Sequence, residues 1–419
     1  MAALSLEQGD HMPDGGPRGL DADATAPGPD ASAGLRVLLF SPIAGRDPLS
    51  GDTSYTQALL DNPPQGVRYT NYNDALADGT LRLRGRKPGK GKAGVENWLI
   101  WALRALEIGC RRAGLLFREP TWFVEVDAAA FDLVHVHLFA VRQVRSNVPV
   151  VSSAGYPLTE LYKAREGWHP LRLYWAERLE LLWARALRIH VPWLHHVPPA
   201  IMSTYTRASA DFLVERGCPR ELVRVIGTGL PAERGPDRCS NGHAVLFVGR
   251  NFVTKGGPCA IQAYELLRRR GAEITLTVVT DQRTVPPQWL SADVEWQFNL
   301  PRQTLLSDVL PRSDILLAPT SADCGAPYAM LEAMRSGLAV VRTELPWLDS
   351  RLAGPGVMTT KADPASVADA VQALLEEPML RQAQAGAQHL FNSTFTIERL
   401  GQDLLVAYRE CLRLAEAQS

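Results

Sequence analysis

An arginine and a lysine five residues apart, followed at once by two glycines, are the groups in this chain best suited to hold an anion. They stand in Val245-Leu-Phe-Val-Gly-Arg-Asn-Phe-Val-Thr-Lys-Gly-Gly257, where an apolar run passes straight into Gly249 and Arg250 and then reaches Lys255. Arginine offers a planar fork and lysine a compact point charge, which together would neutralise a diphosphate. The glycines would let the backbone approach such a ligand closely. At the carboxyl end of a strand and ahead of a helix N-terminus, the segment lies where open α/β sheets take ligands. Its residues alone say only that an anion site is placed at a switch point; the bland alternative is a solvated basic loop.

A second segment, Asp314-Ile-Leu-Leu-Ala-Pro-Thr-Ser-Ala-Asp-Cys-Gly-Ala-Pro-Tyr-Ala-Met-Leu-Glu-Ala-Met-Arg-Ser-Gly337, reads as a strand, a polar loop and a helix carrying Glu332. A carboxylate there can accept hydrogen bonds from two adjacent ribose hydroxyls. The alternative is an ordinary exposed helix residue.

Positioning these groups requires parallel strands covered by helices. Leu35–Ile43 is a short apolar run suited to a buried parallel strand, and similar runs recur at 131–137, 148–152, 201–206 and 222–226. A Gly-containing loop over 45–53 separates the first run from a helical stretch near Ser54. Helical spacing is read over 95–112, 171–189 and 208–216. After the polar, Gly- and Pro-rich stretch 231–242, the alternation restarts with strands at 244–248, 274–279, 315–318 and 339–343 and helices at 258–270 and 328–336. The expected organisation is a disordered tail (1–33), a first Rossmann-like domain (34–230), a linker (231–242), a second domain (243–390), and a C-terminal segment (391–419) with helical spacing over 397–415. The fold class is α/β, two such domains facing a cleft.

The chain has 419 residues, enough for two cores, with 46% hydrophobic and 21% charged residues, close to the globular norm. Its net charge of −1 gives no overall attraction to nucleic acid, which is not an expected partner. The six cysteines form no CxxC pair, so neither a zinc site nor a disulfide scaffold is expected; a reducing cytoplasm suits them. No apolar run is long enough to span a bilayer, and no signal peptide is recognisable, which leaves peripheral membrane contact open.

The pairing of Phe247-Val-Gly-Arg-x4-Lys-Gly256 with Asp314-Ile-Leu-Leu-Ala-Pro-Thr-Ser…Leu-Glu-Ala-Met…Gly337 resembles the retaining GT-B glycosyltransferases of family GT4, the "glycosyl transferases group 1". The resemblance runs from Leu35 to the C-terminus, specific in the second half and diffuse in the first. It implies that Arg250 and Lys255, with Gly249, hold the donor diphosphate and that Glu332 binds the nucleotide ribose. Gly51 and Asp52 match the family's Gly-rich loop under the diphosphate, and Asp132…His135…His137 its D-hydrophobic-hydrophobic-H-x-H strand. Gly227–Pro231 matches the strand-end turn before the linker, and the resemblance also implies that the helix of the C-terminal segment 391–419 packs back on the first domain. Two departures concern the transferred sugar. The family has a Glu eight positions before the ribose-binding one; here that slot is Cys324, and Asp323, one residue earlier, is the candidate substitute. The family also carries a His after a first-domain strand, where this chain reads Val151-Ser-Ser-Ala-Gly-Tyr156; His137 is the available neighbour.

What the resemblance implies is transfer of a sugar from a UDP- or GDP-linked donor to a glycan, lipid-linked or small-molecule acceptor. It needs no metal and no separate cofactor, and the cationic pair stabilises the departing diphosphate. The two departures keep a second reading in play, a GT-B module that binds nucleotide sugar or glycan without turnover. A basic run, 81–92, precedes a helical stretch with Trp98, Trp101 and Arg104, either a lipid-contacting surface or a solvated loop beside core tryptophans. The other Trp-rich stretch, 174–183, is expected to pack inside.

Overall fold

A computed structural model describes residues 34–41, 51–78, 80, 82–84, 106, 109–110, 113–115, 123–137, 140–143, 147–155, 163, 167–191, 194–198, 200–233 and 237–418. The tail expected over 1–33 and most of the 81–112 region, with Trp98, Trp101 and Arg104, lie outside these residues.

Two six-stranded parallel sheets form the frame. The first contains β1 (Leu35–Phe40), β2 (Val67–Asn71), β5 (Leu133–His137), β7 (Val150–Ala154), β8 (Ala200–Thr204) and β9 (Val223–Val225), in the order β2-β1-β5-β7-β8-β9. A small sheet joins β3 (Arg82–Arg84), β4 (Phe123–Asp127) and β6 (Ala140–Gln143). The second large sheet contains β10 (Ala244–Val248), β11 (Thr275–Thr280), β12 (Glu295–Phe298), β13 (Ile315–Ala318), β14 (Ala339–Thr343) and β15 (Val357–Thr360), ordered β12-β11-β10-β13-β14-β15. Strands β5, β7, β8 and β14 are buried along their whole length, as expected of parallel strands covered on both faces, and β5, β7 and β14 carry polar side chains into that interior.

Strand order decides where ligands can go. In the second sheet the chain first winds outward from β10 through β11 to β12, then returns to β13 on the other side. That reversal opens a crevice at the carboxyl ends of β10 and β13, which pair in register from Val245↔Ile315 to Phe247↔Leu317. The first sheet reverses between β1 and β5 in the same way.

The helices of six or more residues are α1 (Gly51–Asp61), α2 (Tyr72–Ala77), α3 (Pro170–Ala186), α4 (Arg207–Glu215), α5 (Gly257–Arg269), α6 (Tyr328–Arg335), α7 (Pro364–Leu374), α8 (Glu377–Thr394) and α9 (Ile397–Glu416), among the described residues. Helix α9 starts at the Thr396 N-cap and sends Leu400, Leu404, Ala407, Tyr408 and Cys411 into one core with Val37, Leu39, Tyr55 and Leu59 of the first sheet's layer. That spacing of three and four residues is one helical face. Within the polar stretch 231–242, Arg238 reaches the second sheet, pairing with Asp314 at 2.6 Å and donating to the Gly337 carbonyl at 2.8 Å.

Two expectations change. Strands β2, β12 and β15 were not anticipated; each is an edge strand, partly exposed, and so lacks the continuous apolar run that marks the central ones. The Trp-rich stretch packs inside only on one face: Leu173, Ala176, Glu180 and Ala184 point inward and Trp183 packs against Leu187, Ile189 and Val191, whereas Leu171, Tyr174, Trp175, Leu179 and Leu182 of α3 are all exposed.

Candidate active site

The loop after β10 begins at Gly249, whose N–H donates to the Val279 carbonyl at 3.0 Å and whose carbonyl accepts from Thr280 Oγ1 at 2.7 Å. Arg250 follows, exposed, with its carbonyl accepting from Thr284 Oγ1 at 3.0 Å. The charge of Arg250 reaches Asp281. That carboxyl is held below its ordinary range first by a hydrogen bond from Arg283 and further by the charges of Arg283 and Arg250, against the opposing cost of burial.

Lys255 turns toward the neighbouring loop, and its Nζ lies 2.5 Å from Asp323 Oδ2. The two loops are sewn together around this pair. Ser321 N–H donates to the Thr254 carbonyl at 3.0 Å, and the Thr320 and Ser321 hydroxyls donate to the same oxygen at 3.3 and 3.1 Å. Gly256 has a left-handed φ of 84°, and a Cβ there would stand 1.9 Å from the Pro319 carbonyl oxygen. The close approach that the structure shows at Gly256 is to the adjoining loop, and at Gly257 to the Phe252 ring.

Glu332 lies in α6, and its side chain is only 6% exposed, which removes the reading of a solvated helix residue. Arg302 donates to its Oε1 from Nε at 2.9 Å and from Nη2 at 2.5 Å. Arg335 stands close by: burial lowers its pKa, the charge of Glu332 opposes that, and the charge of Arg302 adds to it. Arg302 was not anticipated from the sequence. It follows edge strand β12 and Asn299, which takes a left-handed φ of 52° and donates its N–H to the Thr280 carbonyl at 3.0 Å.

The first sheet closes on the Asp323 loop from the other side. Gly325 has φ of 63°, and a Cβ there would be 2.9 Å from Tyr205 Cβ; the Thr228 hydroxyl donates to the Ala326 carbonyl at 3.0 Å. At the carboxyl end of β7, where the resemblance led us to look for a His, the space beside Gly155 is filled by the Tyr205 ring and by Cys324 Sγ. An imidazole comes instead from β5: His137 Nδ1 lies 2.8 Å from Ser153 Oγ and 3.3 Å from the Tyr205 hydroxyl. Behind it His135 binds the Tyr408 hydroxyl at 2.6 Å and Ser153 Oγ at 3.1 Å, and burial pushes its pKa down to about 3. Tyr55 stacks on His137 with ring centroids 4.3 Å apart.

Gly51 and Asp52 open α1 as its first turn; the preceding residues 42–50 and the side chains of 51–53 lie outside the described set. Among the described residues no group of three or more His, Cys, Asp and Glu is arranged to hold a metal ion, and no helix is long and apolar enough to cross a membrane.

Three comparisons place this arrangement among known proteins. Residues 242–377 match the family model described as glycosyl transferases group 1. No curated protein matches the chain. Among solved structures, Anabaena Alr3699/HepE in complex with UDP-glucose superposes with a TM-score of 0.56 at 12% identity, covering 90% of this chain and 100% of that one. A glycosyltransferase from Rickettsia africae ESF-5 gives 0.53 at 12% identity over 90% and 99%. WaaG, a glycosyltransferase involved in lipopolysaccharide biosynthesis, gives 0.50 at 14% identity over 88% and 98%. The likeness in structure shows a shared GT-B fold, and with the matched segment 242–377 it supports a GT-B glycosyltransferase.

Proposed function

We propose that the chain is a retaining, GT4-like hexosyltransferase that takes a sugar from a UDP- or GDP-linked donor without a metal ion. The acceptor is a glycan, a lipid-linked sugar or a small molecule, in cell-envelope polysaccharide, glycolipid or natural-product glycosylation on the cytoplasmic side of a membrane. The observation that carries the reading is the contact between Lys255 and Asp323 at the switch point of the second sheet. A cation for the diphosphate and a carboxylate for the sugar then stand within one hydrogen bond of each other, close enough to serve adjoining parts of one donor.

In this mechanism Arg250 and Lys255 neutralise the diphosphate as its bond to the anomeric carbon breaks. Incoming phosphate oxygens compete with Asp323 for Lys255 Nζ, which frees the carboxylate to accept from sugar hydroxyls. Glu332, steadied by Arg302, accepts from the ribose. His137, held by Ser153 and Tyr205, stands in for the histidine absent after β7. Attack from the face the diphosphate leaves retains the anomeric configuration, and no covalent sugar–carboxylate intermediate is needed.

The UDP-glucose bound in the Anabaena structure makes that donor the first to test here. Purified protein is mixed with UDP-, GDP- and dTDP-sugars, and both melting temperature and donor consumption are followed. One donor should raise the melting point by several degrees through mass action and be hydrolysed or transferred. A donor that stabilises the fold without being consumed favours the binding-module reading. No stabilisation and no turnover with any donor overturns both.

A further inference from the structure

Helix α3 faces away from the core with an apolar stripe that no other part of the described chain matches. Twelve large hydrophobic side chains are exposed among the described residues, and five belong to this 17-residue helix: Leu171, Tyr174, Trp175, Leu179 and Leu182. At 100° per residue Leu171, Trp175, Leu179 and Leu182 fall within an arc of about 80°, directly opposite the inward-facing Leu173, Ala176, Glu180 and Ala184. Trp175 is 58% and Leu182 64% exposed, values that a core helix would not leave.

The charges of the helix point the same way. Arg172, Arg178, Arg185 and the following Arg188 are exposed. Neither carboxylate of the helix faces outward with them: Glu180 is buried, and Glu177 is half-buried and paired with Arg216. Arg172 packs over Trp168, its guanidinium carbon 3.7 Å from the ring centroid, and donates to the Gly114 carbonyl; Arg178 lies 5.2 Å from the Tyr174 ring centroid. An apolar stripe of leucine and tryptophan flanked by arginines, with no exposed acid, complements one surface above others: a bilayer whose headgroups are anionic. The arginines would meet lipid phosphates while Trp175 and the leucines enter the acyl boundary.

From this face we infer that α3 is a docking surface for anionic lipid, holding the protein at a membrane without crossing it. The inference deepens the reading above by locating where a lipid-linked acceptor would be met. Vesicle binding and donor binding are measured separately, so the failure of either leaves the other standing.

The test uses the full chain and flotation with two kinds of vesicle, phosphatidylcholine alone and phosphatidylcholine with about 30% phosphatidylglycerol. The wild type should float with the anionic vesicles, and salt should release it. Trp175→Ser with Leu182→Ser should weaken binding by about tenfold or more, since two deeply inserted side chains are lost. Arg178→Gln with Arg185→Gln should weaken it by about fivefold per charge and abolish the preference for anionic lipid. All four positions are exposed, so the melting temperature of each variant should match the wild type. Three results overturn the inference. The wild type could stay in solution with both vesicles. The Trp175/Leu182 variant could bind undiminished. Or that variant could melt early or turn a wild-type dimer into a monomer, while vesicles bind neither form, which would assign the stripe to another part of this chain or to a second copy.

Discussion

At the carboxyl end of the second sheet the side chains that could touch a ligand are ionic and paired, Lys255 with Asp323 and Arg302 with Glu332. At the corresponding end of the first sheet the polar side chains are buried rings and hydroxyls joined by hydrogen bonds: His137, Ser153 and Tyr205, with His135 and Tyr408 behind them. The first arrangement suits a ligand that brings its own charge, because an anion can exchange places with a carboxylate at little electrostatic cost. The second suits uncharged hydroxyls, whose donors and acceptors match imidazole and serine. The division predicts that pyrophosphate is held from one side of the cleft and sugar from the other.

The largest effect expected from breaking this division is that of Lys255→Ala. Loss of the cation should lower kcat/KM for the donor by about 2–4 kcal/mol of transition-state stabilisation, with both kcat and KM affected. Steady-state kinetics with the donor found by the thermal screen measure it; an unchanged kcat/KM removes the diphosphate assignment. Asp323→Ala should act differently. It frees Lys255, so nucleoside diphosphate binding should hold or tighten while kcat falls by about tenfold to a hundredfold. Calorimetry with the nucleotide and turnover assays on the same variant separate the two, and undiminished transfer would mean that Asp323 is not the substitute acid.

How far the sequence reveals this site depends on burial. Central strands such as Ala244–Val248 and Ile315–Ala318 are apolar throughout, Ala339–Thr343 opens with three apolar residues, and their boundaries are legible to the residue. Lys255 and Asp323 are legible because each sits a fixed short distance beyond such a run. Arg302 is not. It follows edge strand β12, a half-exposed run whose polarity carries no strand signal, and its partner Glu332 lies 30 residues on. The packing role of Gly256 and Gly257 is hidden for a related reason: a glycine made necessary by Pro319 or Phe252 looks the same in sequence as one made necessary by a ligand. The exposure of α3 escapes because an outward stripe of Leu and Trp has the same period as an inward one.

Arg302 therefore offers a sharper probe of the ionic side. Its two hydrogen bonds fall on one oxygen of Glu332, so under the proposed function it is a positioning residue that fixes the carboxylate for the ribose diol. Arg302→Ala should raise donor KM by about tenfold, roughly 1.4 kcal/mol, with kcat little changed, and Arg302→Lys should recover part of the loss. A structural role alone would raise KM equally for a donor and for its dideoxyribose analogue. A positioning role predicts that the wild type discriminates strongly between the two nucleotides and the alanine variant hardly at all.

The ring-and-hydroxyl side is tested by pH. Burial pushes the pKa of both His135 and His190 down to about 3 from the ordinary 6.5. Between those values the unfolded chain binds protons that the folded protein refuses, so stability is complete above about pH 6.5 and declines as the pH falls. The slope should approach, at most, about 1.4 kcal/mol per pH unit for each histidine. The two differ in what surrounds them. His135 is hydrogen-bonded at both ring nitrogens to Tyr408 and Ser153, whereas neither ring nitrogen of His190 has a hydrogen-bond partner. His190→Leu should therefore remove its share of the acid sensitivity while leaving stability at about pH 8 nearly intact, since no bonded partner is orphaned. His135→Leu should remove the same share but destabilise the fold at every pH, because it breaks the bonds to the Tyr408 and Ser153 hydroxyls. Urea melts of both variants across that range decide the point; equal losses at high pH would show that the hydrogen bonds of His135 do not hold the first sheet's end in place.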